Sequence, residues 1–482
     1  MKLWQRRLAA AGLGLTTILS LPPWGWWPLG IVGLAGFVVI FEGSRWRERF
    51  VTALVFWLGA YSLGLAWMVD LTAPGWVVAT PIEAAIMAAP WAVLPASGGW
   101  RWAGVPAALV VGEAVRWVVP FGGVPMSNLA LGQVGAPWVD VVRVAGPLLL
   151  VGALGLASVA IAGLSKRDRA AAAWSVGLLI ALTGVAAVAP NGSTDGRIEV
   201  AVVQAGGELG TNAVSSDEAA VFDRHVEAMQ VAWGDDPPDL DLVLWSESSA
   251  VSDGPLAASP RMAELRDLAD RYDATIIANF SERTTDRFRN AAVAVAPQEG
   301  LVGRYDKVHL VPFGEYVPLR GFIDNFADLS LIPREAIAGD GDAVLDSPLG
   351  PIATVISFEV YFPERVRSGV NADARLVTNP TLASSYRTSM VAAQSFASAQ
   401  LRAIESGRWV LQSSTTGFSG VVDHEGRTVV RTGLREQAAL TATAELRTGT
   451  TWAMRLGKWP VTAVALLLVG AAAGARRQEA AT

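Results

Sequence analysis

Acidic and basic side chains follow apolar segments at three places in the second half of the chain. Glu247 comes at the end of DLVLWSES, Lys307 and Glu315 lie in RYDKVHLVPFGEYVP, and Ser357 and Glu359 lie in PIATVISFEVYFP. An α/β domain places catalytic groups after its strands, so these residues are candidates for proton transfer and charge stabilisation. Taken singly, a carboxylate after a strand is more often a solvated cap, and a loop lysine is more often exposed.

The segment around Lys307 favours the functional interpretation. Between Lys307 and Pro318 it combines Lys, His, two Pro, Gly, Glu and aromatic residues. A rigid, compact segment of this composition is typical of a substrate-binding loop rather than a mere connection.

Other chemistries fit the composition less well. The chain has no cysteine, which excludes disulfides, thiolate metal sites and a cysteine nucleophile. Its three histidines, His225, His309 and His424, stand near no G-x-S-x-G motif, so a Ser-His-Asp hydrolase is a poor account, and we expect His309 to make a structural hydrogen bond. A net charge of −6 without a basic stripe argues against nucleic acid.

The elements that would position these residues form a layered α/β pattern from about residue 197 to 448. Short β-branched runs alternate with helical stretches there. The predicted strands are Arg197–Gln204, Asp241–Trp245, Ala274–Phe280, Asn290–Val295, Ile352–Ile356, Arg375–Thr378, Val410–Gln412 and Phe418–Val422, and the predicted helices are Asp217–Trp233, Arg261–Tyr272 and Thr388–Ser406.

The remainder of the chain has the composition of a membrane domain. Hydrophobic residues make up 52% of the chain and charged residues 17%, and long uncharged runs occupy residues 1–190 and 459–474. We expect about seven spans before Asn191, the first two as a re-entrant pair, and a final span after the α/β segment. The apolar segments are Leu8–Leu21, Leu29–Phe41, Val51–Val69, Trp76–Leu94, Val105–Val119, Val144–Leu164, Ala171–Val188 and Trp459–Ala473.

The distribution of Lys and Arg predicts the orientation. Counting eight spans puts the basic loops on one side, so both termini are expected in the cytoplasm and residues 197–448 outside the cytoplasmic membrane. Within the predicted spans, Glu113 and Arg116 share a helix face and are expected to pair, either for function or for helix packing. Glu83 has no evident partner in the sequence.

Several segments together resemble the apolipoprotein N-acyltransferase family of the nitrilase, or carbon–nitrogen hydrolase, superfamily. The lysine-loop segment from Arg304 to Pro318 carries the most specific likeness. LPPWGWWPLG near the start, FGGVP in the Glu113–Gln133 region, RAIESGR at Arg402–Arg408 and the order of domains support it. The resemblance covers nearly the whole chain and implies a multi-span helical membrane domain with a nitrilase-like αββα sandwich.

The resemblance also implies an activity. Such enzymes use a carboxylate base, an oxyanion-stabilising lysine and an acylated nucleophile, which would assign these roles to Glu247, Lys307 and Ser357. Supporting or substrate-binding residues would be Glu315, Glu359, Tyr316 and Phe358. An acyl chain would move from a phospholipid to the enzyme and then to the N-terminal diacylglyceryl-cysteine of a lipoprotein, without a cofactor or metal, at the inner membrane.

Two departures from the family pattern leave alternatives open. Serine stands where the family has its cysteine nucleophile, and TNPTLASSY at Thr378–Tyr386 replaces an Asn-Asp-Ala-Trp-Phe-type sequence. Three explanations of Ser357 are open: an engineered replacement, a working serine nucleophile, or a native loss of the acylated nucleophile. The second departure, at Thr378–Tyr386, favours a divergent, actinobacterial-type member. The alternative function is a catalytically inactive membrane scaffold that recruits a lipid-linked glycosyltransferase. A transporter is disfavoured because the spans show no duplicated halves.

Overall fold

The chain folds into two compact units in this computed structural model, which describes residues 1–41, 45–95, 97–208, 218–234, 237–323, 334–383 and 385–481. The first unit contains Met1–Pro190 and Thr451–Thr482, and the second contains Asn191–Thr450. The second unit is therefore one continuous insertion within the chain of the first.

The first unit is helical. Its α-helices are Leu3–Ile18, Trp27–Ile40, Trp46–Gly64, Ala73–Ala88, Gly99–Arg116, Val142–Ala145, Pro147–Ser165, Arg169–Val188, Trp452–Leu456 and Trp459–Ala481. Each of the eight apolar segments predicted from the sequence overlaps one of them. Among the described helices, four have the length and apolar composition needed to cross a membrane: Ala73–Val93, Pro147–Ser165, Arg169–Val188 and Trp459–Arg477. Trp27–Ile40 is apolar but shorter, and the number of spans stays a prediction.

Small residues allow two of these helices to touch along their backbones. A Cβ atom at Gly14 would overlap the carbonyl oxygen of Phe56, and one at Gly59 would overlap that of Ala11. Close approach through small residues is the usual way for apolar helices to pack when lipid surrounds them. Helices Leu3–Ile18 and Trp46–Gly64 are held together in this way.

A buried ion cluster lies within the first unit. Arg116 contacts Glu83 at 2.6 Å and Glu113 at 2.9 Å, and its guanidinium also donates to the carbonyl oxygens of Val124 and Met126. The expected pairing of Glu113 with Arg116 is therefore present. Glu83 also has a partner. Folding brings it next to Arg116, which lies 33 residues later in the sequence.

The second unit contains two β-sheets. The strands, in chain order, are β1 Ser193–Gln204, β2 Leu242–Leu244, β3 Ala250–Asp253, β4 Thr275–Arg283, β5 Arg287–Ala296, β6 Gly300–Asp306, β7 Glu335–Ala336, β8 Val344–Leu345, β9 Ile352–Thr354, β10 Val377–Thr381, β11 Val410–Ser414, β12 Gly420–Val422, β13 Thr428–Arg431 and β14 Ala438–Thr448. The eight-stranded sheet has the order β14-β1-β2-β4-β5-β6, with β3 beside β4 and β7 beside β5. The six-stranded sheet has the order β13-β12-β11-β10-β9-β8.

Helices cover the outer faces of both sheets. Glu218–Trp233 and Pro260–Tyr272 pack on the first sheet, and Pro363–Asn371 and Met390–Ser406 pack on the second, while β1 and β2 face β11. The short helix Arg320–Ile323 lies in the connection after the lysine loop. These layers confirm the expected αββα sandwich, and the first unit is the expected helical domain.

The core of the first sheet is apolar on the side that faces its helices. Phe222 and Met229 pack with Trp245 and Leu265 in one buried cluster, and Phe222 meets Trp245 edge to face with 5.0 Å between ring centroids. Burial of such side chains contributes about 25 cal/mol per Å² of apolar surface removed from water. This packing fixes the end of β2, where Glu247 lies.

The predicted strands and helices all occur, with shifted ends. The predicted helix Asp217–Trp233 is present from Glu218, and Asp217 lies outside the described residues. The two- to four-residue strands β3, β7 and β8 were not predicted, and neither were β6, β13 and β14. The residues of the last three are mostly half-buried or exposed, so they lack the continuous apolar run that marks an inner strand.

Candidate active site

Lys307 lies between two carboxylates. Its Nζ is 2.9 Å from Oε1 of Glu247 and 2.9 Å from Oε1 of Glu315, and its side chain is only 1% exposed. β6 ends at Asp306, directly before Lys307. Glu315 lies eight residues after Lys307, and the loop folds back so that the two side chains meet. Glu315 also accepts the Val311 N–H at 2.7 Å, which holds the loop in its folded-back form.

The charge of Lys307 is stabilised by this arrangement. Burial lowers the pKa of the ammonium group, but the negative charges of Glu247 and Glu315 outweigh burial and raise the pKa above its ordinary value. An ammonium group has three N–H donors, and two of them are used by the carboxylates. The third is available for a negative charge that develops nearby.

One oxygen of Glu247 is fully engaged while the other is not. Oε1 accepts both Lys307 and the Asn290 amide, the latter at 2.9 Å. Asn290 Oδ1 in turn accepts from the Asn279 side-chain amide at 2.7 Å, and the Asn279 side-chain oxygen Oδ1 receives the Ser248 N–H at 2.7 Å. No donor from the described part of the chain reaches Oε2 of Glu247, so this oxygen remains available to accept a proton.

Ser357 begins a tight turn after β9. Its φ is 54°, a left-handed conformation that is uncommon for a residue with a side chain, and its N–H donates to the Asn379 side chain at 3.0 Å. Ser248, which follows Glu247, and Phe313, which lies in the loop between Lys307 and Glu315, also have a positive φ. Such conformations concentrate at functional sites, where surrounding contacts hold them.

Glu359 ties the Ser357 turn to the lysine loop. Its carboxylate accepts the backbone N–H groups of Ile356, Val308 and His309 at 2.8 to 3.0 Å, and the Tyr305 hydroxyl at 2.9 Å. Four donors on one buried carboxylate fix its position. The turn that carries Ser357 and the loop that carries Lys307 therefore share one anchor.

Thr381 supplies the second connection. Its carbonyl oxygen accepts the Glu247 N–H at 3.2 Å, and its hydroxyl donates to the Ser357 hydroxyl at 3.2 Å. The structure thus places Glu247, Lys307 and Glu315 in direct contact and joins Ser357 to them through Glu359 and Thr381.

The other predicted residues lie around this centre. Phe358 is half-buried and packs against Phe362 with 5.1 Å between ring centroids, and its N–H has no acceptor among the described residues. Tyr316 is half-buried, and its carbonyl oxygen receives the Phe313 N–H at 2.8 Å, outside the ion cluster. His309 donates its backbone N–H to Glu359 and stacks its ring on Phe362, so it has the structural hydrogen bond that the sequence suggested.

Sequence reasoning missed a buried histidine behind Glu247. His225 stacks on Trp245 with 4.9 Å between ring centroids, its Nδ1 is 2.8 Å from the Val221 carbonyl oxygen, and its Nε2 faces the N–H and hydroxyl of Ser246 at 3.3 and 3.1 Å. Burial lowers its pKa from 6.5 to about 4, so the ring is neutral at pH 7. Nδ1 then donates and Nε2 accepts.

Among the described residues, no group of three His, Asp or Glu side chains is placed to hold an ion. The position between Glu247 and Glu315 is occupied by the Lys307 ammonium group.

The comparison with known families agrees with this fold. The family model for carbon–nitrogen hydrolases matches residues 199–454, which is more than half of the chain. The chain belongs to the carbon–nitrogen hydrolase family. A second model, for the N-terminal domain of apolipoprotein N-acyltransferases, matches residues 13–162. The resemblance to that family is confirmed by both matches.

Full-length relatives show the same combination of domains. The chain is 28% identical to an apolipoprotein N-acyltransferase of Gloeobacter violaceus, over 97% of this chain and 94% of the relative. It is 27% identical to the protein of the same name from Azotobacter vinelandii, over 99% of this chain and 96% of the relative.

Two solved structures that resemble the chain each cover just over half of it. A CN-hydrolase superfamily protein from Xanthomonas campestris is 19% identical, with a TM-score of 0.40, over 56% of this chain and 97% of that one. Nit3 of Saccharomyces cerevisiae, a member of the nitrilase superfamily, is also 19% identical, with a TM-score of 0.39, over 56% of this chain and 98% of that one.

Proposed function

We propose that the chain is an acyltransferase that moves an acyl group from a phospholipid to the N-terminal diacylglyceryl-cysteine of lipoproteins. The arrangement of Lys307 between Glu247 and Glu315, beside the Ser357 turn, carries this proposal. The names of the full-length relatives give the reaction and the acceptor class, and the family resemblance implies the phospholipid donor.

In the first half-reaction Ser357 is the nucleophile. Oε2 of Glu247 accepts the hydroxyl proton as Oγ bonds to the carbonyl carbon of the phospholipid ester. The tetrahedral oxyanion accepts the third N–H of Lys307 and the N–H of Phe358. The intermediate collapses, the lysophospholipid oxygen leaves with the proton from Glu247, and Ser357 carries the acyl group as an ester.

In the second half-reaction the neutral α-amine of the diacylglyceryl-cysteine attacks that ester. Glu247 takes the proton from the nitrogen, the same donors bind the oxyanion, and the serine oxygen leaves and regains the proton. The product is an N-acylated cysteine, and the enzyme returns to its starting state.

The test is direct detection of the acyl-enzyme. Full-length protein in phospholipid vesicles with a labelled acyl chain should show the label on residue 357 by mass, and a diacylglyceryl peptide should discharge it. Ser357→Cys should give a thioester that hydroxylamine cleaves, formed faster because a thiolate exists near neutral pH and a serine alkoxide does not.

Glu247→Gln and Ser357→Ala are the matched controls, and neither should acquire the label. If a folded wild type and a folded Ser357→Cys variant both remain unlabelled, acyl transfer is wrong. The scaffold alternative, with a lipid-linked glycosyltransferase as partner, would then be tested by co-purification from the membrane.

We also propose that residues 197–448 face the outside of the inner membrane and that the chain crosses it several times, ending with a span at 459–474. The distribution of Lys and Arg supports this orientation, since basic loops remain cytoplasmic. A reporter active only outside the cytoplasm should work when fused near Ser248 and fail when fused after Arg169. The opposite result would reverse the topology.

A further inference from the structure

Thr381 contacts both the candidate base and the candidate nucleophile. It is the last residue of β10, and the residue is 5% exposed. The carbonyl oxygen accepts the N–H groups of Glu247, which follows β2 of the other sheet, and of Thr415, which follows the adjacent strand β11, at 3.2 and 3.3 Å, so the backbone position is fixed from both sheets. The hydroxyl points to Ser357 Oγ at 3.2 Å.

The direction of this hydrogen bond matters for a serine nucleophile. A serine hydroxyl has one proton and two lone pairs. When Thr381 donates to Ser357 Oγ, the serine proton stays free for Oε2 of Glu247. The donated hydrogen bond also strengthens as negative charge develops on Oγ, because hydrogen bonds to charged acceptors are stronger.

A cysteine at position 357 would need this donor much less. A thiol has an ordinary pKa near 8.5 and forms its own anion, and its sulfur is a weak hydrogen-bond acceptor. We propose that Thr381 is a positioning residue that adapts this site to serine, by fixing the Ser357 hydroxyl and stabilising the charge that forms on it. This inference rests on the acyl transfer proposed above.

The test combines two substitutions. Thr381→Val has nearly the same shape, keeps the carbonyl oxygen that binds Glu247, and removes only the hydroxyl. In single-turnover acylation by phospholipid, we expect Thr381→Val to slow the Ser357 enzyme by about 10- to 100-fold, the range of one charge-assisted hydrogen bond. In the Ser357→Cys background the same change should slow acylation by less than about threefold.

Thr381→Ser, which keeps the hydroxyl, should retain most of the activity. A fast Ser357→Cys/Thr381→Val enzyme would also show that the Thr381→Val site is folded.

Equal slowing in the serine and cysteine backgrounds would overturn the inference, because a structural defect acts on both nucleophiles. Unchanged acylation of Ser357 in Thr381→Val would overturn it as well, and in both cases acyl transfer itself would stand. A wild type that never acquires an acyl group on Ser357 would overturn the inference and the serine mechanism together.

Discussion

We expect His225 to make the α/β unit less stable as the pH falls below about 6.5. Its folded-state pKa of about 4 lies below the ordinary value of 6.5, because the ring is buried against Trp245, and the charge of Arg224 lowers the pKa further, while the hydrogen bond to the Val221 carbonyl oxygen opposes this. Between these two pH values the unfolded chain binds a proton that the folded chain does not. The free energy of unfolding therefore falls as the pH is lowered.

The expected size follows from the two pKa values. One pKa unit corresponds to about 1.4 kcal/mol, so the drop from 6.5 to about 4 amounts to about 3 kcal/mol of lost stability by pH 4. Protonated Nε2 also can no longer accept the Ser246 N–H, which lies next to Glu247. Acyl transfer should decline over the same pH range as the site loosens.

Two measurements check this prediction. The chain has only three histidines, so selective isotope labelling with the variants His225→Gln and His424→Gln should assign each ring signal and give its pKa by NMR. Urea unfolding of the full chain in detergent from pH 7.5 to 4.5 should lose its pH dependence mainly in His225→Gln. A pKa near 6.5 for His225, or identical pH dependence in the two variants, would refute the reasoning.

Three further substitutions have expected outcomes. Lys307→Met should slow acylation by roughly 10²–10³-fold, since it removes an oxyanion donor. It should also lower the melting temperature, because Glu247 and Glu315 remain buried without their cation. Unchanged turnover would show that Lys307 has only a structural role. Asn290→Asp should slow acylation at least about 10-fold, because it replaces an amide donor to Glu247 with a third carboxylate. A single-turnover acylation rate equal to that of the wild type would disprove this. Arg116→Gln should destabilise the helical unit by about 3–5 kcal/mol, seen as a lower melting temperature in detergent, and an unchanged value would show that the buried ion cluster is dispensable.

Most of the α/β fold was predictable because its inner strands contain apolar runs. Strands β2, β4 and β5 have such runs where both of their faces are buried. β14 could not be found in this way. Its residues alternate between small and polar, and it becomes a strand because it pairs along the whole length of β1, more than 200 residues earlier.

The candidate site was predictable in the residues that follow strands or lie in the lysine loop. Glu247, Lys307 and Ser357 come shortly after strands, and Glu315 lies in the loop after Lys307, where a charge is conspicuous and costly to bury. Asn290, Tyr305 and Thr381 are ordinary strand residues in sequence. They act through partners far along the chain, such as Tyr305 through Glu359, and no local pattern indicates such pairings.

The pairing of β1 with β14 also constrains how the chain is made. Ser193 lies opposite Thr448, so the first and last strands of the second unit are neighbours and its two ends leave side by side. During synthesis β1 is made first and has an open hydrogen-bonding edge until residues 438–448 emerge. An open edge can pair with other chains, so a protein halted before residue 438 should aggregate through β1. Because its two ends are adjacent, the second unit should also be transferable to another protein as one piece, with short linkers at positions 193 and 448.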